Sequence, residues 1–566
     1  MDTTSSPSPN WRTLISQMAE LWGGVSFSAH DLDKQEKTIG TWKAVLDNNR
    51  HLLSPNVVPE SFAASLHAQR CAVQSAPNRQ ENSPGLARTA ISDEQNPDWW
   101  DERLKLKQKH FGVQELTERS LDRLHYVSKS TGACVEIFRD SALAMARSTD
   151  EALKRGEGLG AVQGMPLAHK DIFFRKNGPV TCGLGFSPSF SSSDDSSAVT
   201  LLHQHGALDL GRLHMTELAF DPSGVNESLG DCLNPWSSKH IPGGSSSGSA
   251  TVVASRSVFA ALGTDTGGSI RIPAVLCGVT GLKPTYDLVS RAGAMSLSWT
   301  NDHIGPLARS ARDCALMMSV LAPDPLVCSP KPDGSSSAFV KGLSEPVNGL
   351  RVGVPEAFFR SGLSPQLQEL LDSSLKKFES LGLTIKAVPD FDYASLNALG
   401  SLVTRAEAYS TFHRYLDACP EERLGSTTRM RLEEGLAIPA AAYLQALSLR
   451  TPLLRQFVQT VMAEVDVLHL PVCAIETPLI EDSRVGAVTH AFVLDSLTRL
   501  NRPFNYLGLP ALALPCGFVD AASGNTKMPY GFQLVGAPYS DALLLRLGNA
   551  YQSVTDWHCH APGMAS

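Results

Sequence analysis

Apolar residues change their period several times along this chain, and each change predicts an element. Trp11 to Leu21 and Lys37 to Leu53 hold apolar positions at helical spacing, the first behind a Ser/Pro-rich start. Ala76 to Pro97 is made of Ser, Asn, Pro, Gln and charge, the composition of a linker. An appended helical segment over 1–95 therefore precedes a main domain over 96–562. Beyond Val113, Leu116, Ser120, Leu121 and Leu124 recur at helical spacing, and Ser141 to Arg155 predicts the next helix. Met165 to Phe174, Ala207 to Leu213 and Val258 to Leu262 read as buried strands, the third feeding a glycine-rich loop. A strand at Leu350 to Val354 precedes a mostly helical stretch over 367–464, broken by Pro420, Pro439 and Pro452 and expected to form a cover. Asp466 to Leu470 and Tyr530 to Val535 read as further strands, and a last helix starts at Asp541. Strands interleaved with helices predict a wound α/β sheet.

Composition narrows the class. With 42% apolar and 19% charged residues, the 566-residue chain has the balance of a soluble globular protein. A net charge of −8 argues against a general nucleic-acid surface. The eleven cysteines are odd in number and show no C-x-x-C pair, which fits reduced thiols and a cytoplasmic location. Met1 to Pro9 has neither a basic nor an apolar region of a secretory signal, and no apolar run reaches the length of a membrane-spanning helix. His558-Cys559-His560 reads as a plain surface tail, not as a metal site.

Candidate chemistry lies in three short stretches: Ala168-His169-Lys170-Asp171, Pro242 to Gly248 and Gly263 to Arg271. A serine hydroxyl needs a neighbouring base to attack a carbonyl. Ser269 follows Gly267-Gly268 at a strand-to-helix junction, where missing side chains let backbone N–H groups approach a developing oxyanion. Taken alone, Gly243 to Ser249 reads as a Gly/Ser linker and Lys170 as a solvated charge. Their context speaks otherwise: Pro242 precedes the loop, an Ala/Val-rich helix follows it, and Lys170 ends an apolar strand. Gly263 to Gly268 lacks both the G-K-[ST] ending and the G-x-G-x-x-G order of nucleotide loops. Cys277 reads as a packed thiol, and His169 as a structural side chain on the opposite strand face.

Ser245 and Ser269 are 24 positions apart, and Lys170 lies 75 positions before Ser245. These motifs and spacings resemble the amidase signature family of serine hydrolases. The resemblance continues through Asn234-Pro235-Trp236, Pro273-Ala274, Gly281 to Thr285, Gly305 to Ser310, Gly508 to Ala511 and Gly531 to Gly536, and so covers roughly 95–560. It implies an α/β fold with a large twisted, mostly parallel mixed sheet covered by helices on both faces. It also implies Ser269 as nucleophile, Ser245 behind a cis peptide as relay, and Lys170 as base. Thr266, Gly267, Gly268 and Ser269 would form the oxyanion hole, and the Ala219 backbone would line the acyl site. Ser246, Asp265 and Arg271 are assigned supporting roles, the latter two through hydrogen bonds and charge pairing. No metal or cofactor is implied; a homodimer is.

The expected function is an amidohydrolase acting on a linear carboxylic amide, with esters, anilides and carbamates as related substrates. The alternatives are a glutamine-dependent amidotransferase subunit working with partner subunits, against which the long N-terminal segment weighs, and a noncatalytic scaffold, against which the intact Lys-Ser-Ser set weighs. The chain departs from the family pattern at Ser247 and Ser249, extra hydroxyls expected to be tolerated, and at His303. Trp299 and Tyr443 are expected in core packing ahead of contact with an apolar acyl or aryl group.

Overall fold

A computed structural model describes residues 29–52, 62–74, 96–322 apart from a few positions between 177 and 193, 334, 337–418, 424–521 and 526–563. The helix expected over Trp11 to Leu21 and most of the linker lie outside the described residues. Eleven strands among the described residues form one sheet: β1 (Cys134–Ile137), β2 (Pro166–Lys170), β3 (Leu208–Leu213), β4 (Ala260–Asp265), β5 (Thr280–Lys283), β6 (His303–Ala308), β7 (Arg351–Val354), β8 (Thr384–Ala387), β9 (Val467–Pro471), β10 (Ala511–Asp520) and β11 (Lys527–Gly536). Their order is β1-β3-β2-β4-β6-β5-β10-β11-β9-β7-β8, with helices flanking the sheet.

The expectation of a mostly parallel sheet is corrected, because six of the ten strand pairs are antiparallel. β10 and β11 pair antiparallel, and β6 runs against both β4 and β5. Parallel pairing survives in the β3-β2-β4 block and at the β9-β7-β8 edge. Every residue of β2 and β4 is buried, in keeping with their reading as buried strands.

Several boundaries differ from the sequence reading. β2 ends at Lys170 because Asp171 turns the chain: its carboxylate accepts from the Thr181 amide at 3.0 Å, the Thr181 hydroxyl at 2.5 Å and Arg212 at 2.9 Å. β4 runs on to Asp265 because Thr264 and Asp265 pair with Ile304 and His303 of β6. Within the stretch expected to be helical, Thr384–Ala387 forms the half-exposed edge strand β8. Pro452, expected as a break, lies inside the helix Ala440–Thr460. Its missing N–H removes one helical hydrogen bond, offset by burial of Leu449, Leu453, Leu454 and Phe457 along the same helix.

The helices Ala29–Asn48 and Phe62–Gln74 pack on the cover helices Tyr393–Ala418 and Ala440–Thr460. Ile39, Trp42, Leu46 and Leu66 are buried there. The Arg450 guanidinium lies 3.7 Å from the Phe62 ring centroid, and Arg405 lies 6.0 Å from that of Trp42. The expected C-terminal surface tail is instead held down, since Arg256 donates to the carbonyls of His558 at 2.7 Å and His560 at 2.8 Å. No helix among the described residues is long and apolar enough to cross a membrane.

Truncating Trp42 would leave a cavity under the first of these helices. We expect Trp42→Ala to cost about 3–5 kcal/mol in the docking of that segment, seen as faster tryptic cleavage before residue 96 than in the unmodified protein.

Candidate active site

Adjacent parallel strands bring their C-terminal ends to the same edge, and the site forms beyond the ends of β2 and β4. Lys170, the last residue of β2, is fully buried, and its Nζ donates to Ser245 Oγ at 2.7 Å and to Thr264 Oγ1 at 2.7 Å. Burial pushes the Lys170 amine down to about 7, against the opposing pull of Asp302 and Asp265. The Gly244-Ser245 peptide is cis, as the resemblance implied. Gly244 has no room for a side chain: a Cβ would lie 2.7 Å from the Asp221 carbonyl oxygen. Its amide donates to the Pro222 carbonyl at 2.7 Å, tying the Ser245 loop to the 219–222 segment. Ser246 joins the two loops, its amide donating to the Ser269 carbonyl at 3.3 Å while its hydroxyl meets the backbone of Thr264.

The loop carrying Ser269 is shaped by a fully buried ion pair. Arg271 donates to Asp265 through Nε at 3.0 Å and a terminal nitrogen at 3.0 Å. It also reaches Gln533 at 2.8 Å and Asn505 at 2.7 Å. Burial pushes the Asp265 carboxyl up, but the facing Arg271 charge and hydrogen bonds hold it well below the usual carboxylate range. Asp265 also accepts from the amides of Gly268 at 2.8 Å and Ile270 at 3.2 Å. Gly268 sits at φ +120°, a conformation open to glycine.

This arrangement corrects the oxyanion-hole expectation at Gly268, whose N–H is spent on Asp265. The amides of Gly267 and Ser269 have no partner among the described residues. Thr266 turns its hydroxyl away, donating to Asp302 at 2.6 Å. Ala219, at φ +61°, shares with Ser269, Thr266 and Gly267 the lining of a cavity of about 40 Å³. The structure therefore brings Lys170, Ser245, Ser246, Asp265, Arg271, Ala219 and the 266–269 loop together.

Ser247 and Ser249 turn away from the cavity, bonding to His214 at 3.1 Å and to the Leu262 carbonyl at 3.1 Å. His169 is buried against Phe173, and Cys277 is buried with its thiol pushed up by desolvation. Trp299 is exposed and does not enter the core as expected, whereas Tyr443 is half-buried against it; both line a separate cavity of about 340 Å³ with Glu407. Sequence reasoning missed Thr264, Asp302, Asn501 and Asn505, which hold Lys170, Thr266 and the Asp265-Arg271 pair. Asn505 stands three residues before the quoted Gly508-Leu509-Pro510, a local signal for it. Arg405, Arg431 and Arg502, all on the cavity wall, had no such signal.

Fold and loops together define a serine-based acyl-transfer enzyme. The family model described as Amidase matches residues 115–545. The chain belongs to the amidase signature family of serine hydrolases, enzymes that cleave carbon–nitrogen bonds. It is 33% identical over 484 residues to a subunit of the glutamyl-tRNA(Gln) amidotransferase of Nitrosococcus oceani, covering 81% of this chain and 97% of that one. To the corresponding polypeptide of Pseudomonas aeruginosa it is 34% identical over 481 residues, with the same coverage. A crystal structure of an amidase superposes with a TM-score of 0.70 at 30% identity, over 81% of this chain and 99% of that one. A chain from a vestigial protein complex that reveals the origins of an s-triazine catabolic enzyme gives 0.71 at 28% identity, over 81% and 98%.

Removing Arg271 would leave Asp265 charged and unpaired in the interior. We expect Arg271→Leu to lose about 3–5 kcal/mol of stability, measured by chemical denaturation.

Proposed function

We propose that this chain cleaves a small carboxylic amide through an acyl-enzyme on Ser269, with Ser245 and Lys170 carrying the proton. The observation that supports this best is the buried Lys170 amine, 2.7 Å from Ser245 and brought to about 7 by desolvation. A neutral amine accepts the Ser245 proton while Ser245 takes that of Ser269, whose Oγ bonds to the amide carbon. The resulting oxyanion is stabilised by the unpartnered amides of Gly267 and Ser269. Collapse breaks the carbon–nitrogen bond as the relay returns its proton to the leaving nitrogen. Water, deprotonated by the same relay, then attacks the Ser269 ester, releases the acid and restores the hydroxyl. In this reading 96–562 is the catalytic domain, and the cycle needs no metal or organic cofactor.

The curated relatives favour one setting for this chemistry, a glutamine-dependent amidotransferase in which released ammonia passes from this chain to its partner subunits. The second reading is a free-standing amidohydrolase. It is favoured by the likeness to the amidase crystal structure and by the N-terminal helices packed on the cover. Ammonia release from glutamine and short amides, measured with the purified chain alone and with amidotransferase partner subunits present, separates the two. Partner-dependent release supports the first, and full turnover alone supports the second.

We expect a fluorophosphonate to form one adduct on Ser269, seen by intact mass and peptide mapping, and Ser269→Ala to lose both adduct and amide turnover while remaining folded. Lys170→Met should lower amide turnover by roughly 10²–10⁴-fold. Because the base works as the neutral amine, kcat/KM should rise with pH through about 7 and level off above it. A flat profile across that region would end the Lys170 assignment.

A further inference from the structure

A cavity of about 410 Å³ lies at the opposite end of β4 from the serine loop, where Phe259 precedes β4 and Arg309 follows β6. Ser269 stands beyond the far end of β4, about 20 Å of strand away. Five cationic side chains line this cavity, Lys105, Arg119, Arg123, Arg256 and Arg309, against one carboxylate, Glu102. Two cations at the rim share that carboxylate, which accepts from Lys105 Nζ at 2.9 Å and lies 4.0 Å from Arg119. Arg123 follows Arg119 by one turn on the same face of the helix Val113–Thr131. It makes no hydrogen bond or ion pair among the described residues, although its Nε is buried.

Deeper in, positive charge is met by carbonyl dipoles alone at Arg309. This buried guanidinium donates to the carbonyls of Val258 at 3.2 Å, Pro97 at 2.6 Å and Arg256 at 2.9 Å, and has no carboxylate within ion-pair distance among the described residues. Burial, with repulsion from Arg256 and Arg123, pushes it well below its ordinary value. The two acids whose charge reaches Arg309 are engaged elsewhere: Asp98 with Arg312 and Ser310, and Asp313 with the amides of Trp99 and Trp100. Arg256 in turn holds the carbonyls of His558 and His560. Three guanidiniums from separate elements thus repel one another at the inner wall, and an anion between them would offset that repulsion.

We propose that this cavity binds the phosphate group of a small phosphate-bearing metabolite, at a site separate from the Ser269 centre. The cations arrive from several directions: from the helices Trp99–Lys107 and Val113–Thr131, from the turn after the helix Ser247–Ala254 and from the end of β6. Such a spread encloses a tetrahedral dianion, whereas a flat carboxylate is served by a single guanidinium fork. Lys105 and Arg119, half-exposed at the rim, draw the anion in, and Arg123 meets it with donors that no other group takes. The volume exceeds that of inorganic phosphate and leaves room for pyrophosphate or a short organic ester. Because the same wall joins Pro97 to Arg309 and His558 to Arg256, the bound anion fastens the two ends of the main domain to the sheet.

The test titrates the purified full chain with inorganic phosphate, pyrophosphate, glycerol 3-phosphate and, as a phosphate-free polyanion, citrate. Ionic strength is held constant with sodium chloride, and binding heat and Tm are read. One pyrophosphate or glycerol 3-phosphate per chain is expected, with a Kd between about 10 μM and 1 mM and a rise in Tm. In Arg123→Met that Kd should rise at least about tenfold, while Tm without anion does not fall, because a repelling cation with no partner is gone. Hydrogen exchange on the unmodified protein locates the site even where the variant fails to fold: pyrophosphate should slow amides within 99–131 and 256–259. No binding of any phosphate, citrate bound as tightly as the phosphates, equal affinity in Arg123→Met, or slowing confined to the segments around Ser269 each overturns the proposal.

Discussion

Two full charges lie in the interior of this protein with no exposed side-chain surface, Asp265 at the end of β4 and Arg271 at the start of the following helix. Neither could be there alone, because an unpaired ion in the interior costs several kcal/mol. Together they bind each other, and what remains of their hydrogen-bonding capacity is spent on the loop between them and on its supports. Asp265 holds the amides of Gly268 and Ile270, and Arg271 reaches the side chains of Asn505 and Gln533 and the carbonyl of Asn501. The turn presenting Ser269 is thereby fixed from inside by charge, while the Gly267 and Ser269 amides have no partner among the described residues.

The same low-dielectric interior that makes this pair necessary tunes the neighbouring lysine. Lys170 approaches neutrality because β2 is buried along its whole length between β3 and β4, and the nearby Asp302 and Asp265 charges only partly oppose the shift. Desolvation also acts on the cavity wall, where Arg431 and Arg502 are lowered without a carboxylate of their own. Burial thus does two separate things within one small volume. It lowers the Lys170 amine behind Ser245, and it lowers the arginines beside Ser269.

Much of the site was legible in the sequence because its elements are local. Gly267-Gly268-Ser269, Pro242 to Gly248 and the lysine closing an apolar strand each carry their chemistry within a few residues, and Asp265 and Arg271 are close enough in sequence to be recognised as a pair. The structure corrected what depended on partner choice. Gly268 lost its place as an oxyanion donor because its N–H turns inward to Asp265, which composition does not reveal. Trp299 moved from core to cavity wall for a similar reason, since hydrophobicity does not say which neighbour arrives to cover a ring.

The sequence by itself determined the class of fold and pointed to Lys170, Ser245 and Ser269, because strand burial and motif spacing are properties of contiguous residues. Strand direction and pocket charge were decided only in three dimensions. The antiparallel run of β6 against β4 and β5 depends on pairings across the sheet. Arg405, Arg431 and Arg502 belong to three helices, each reading as an ordinary charged position, and only their convergence beside Ser269 makes them a pocket. Coulomb interactions follow distance in space, and distance in space is what a one-dimensional pattern does not carry.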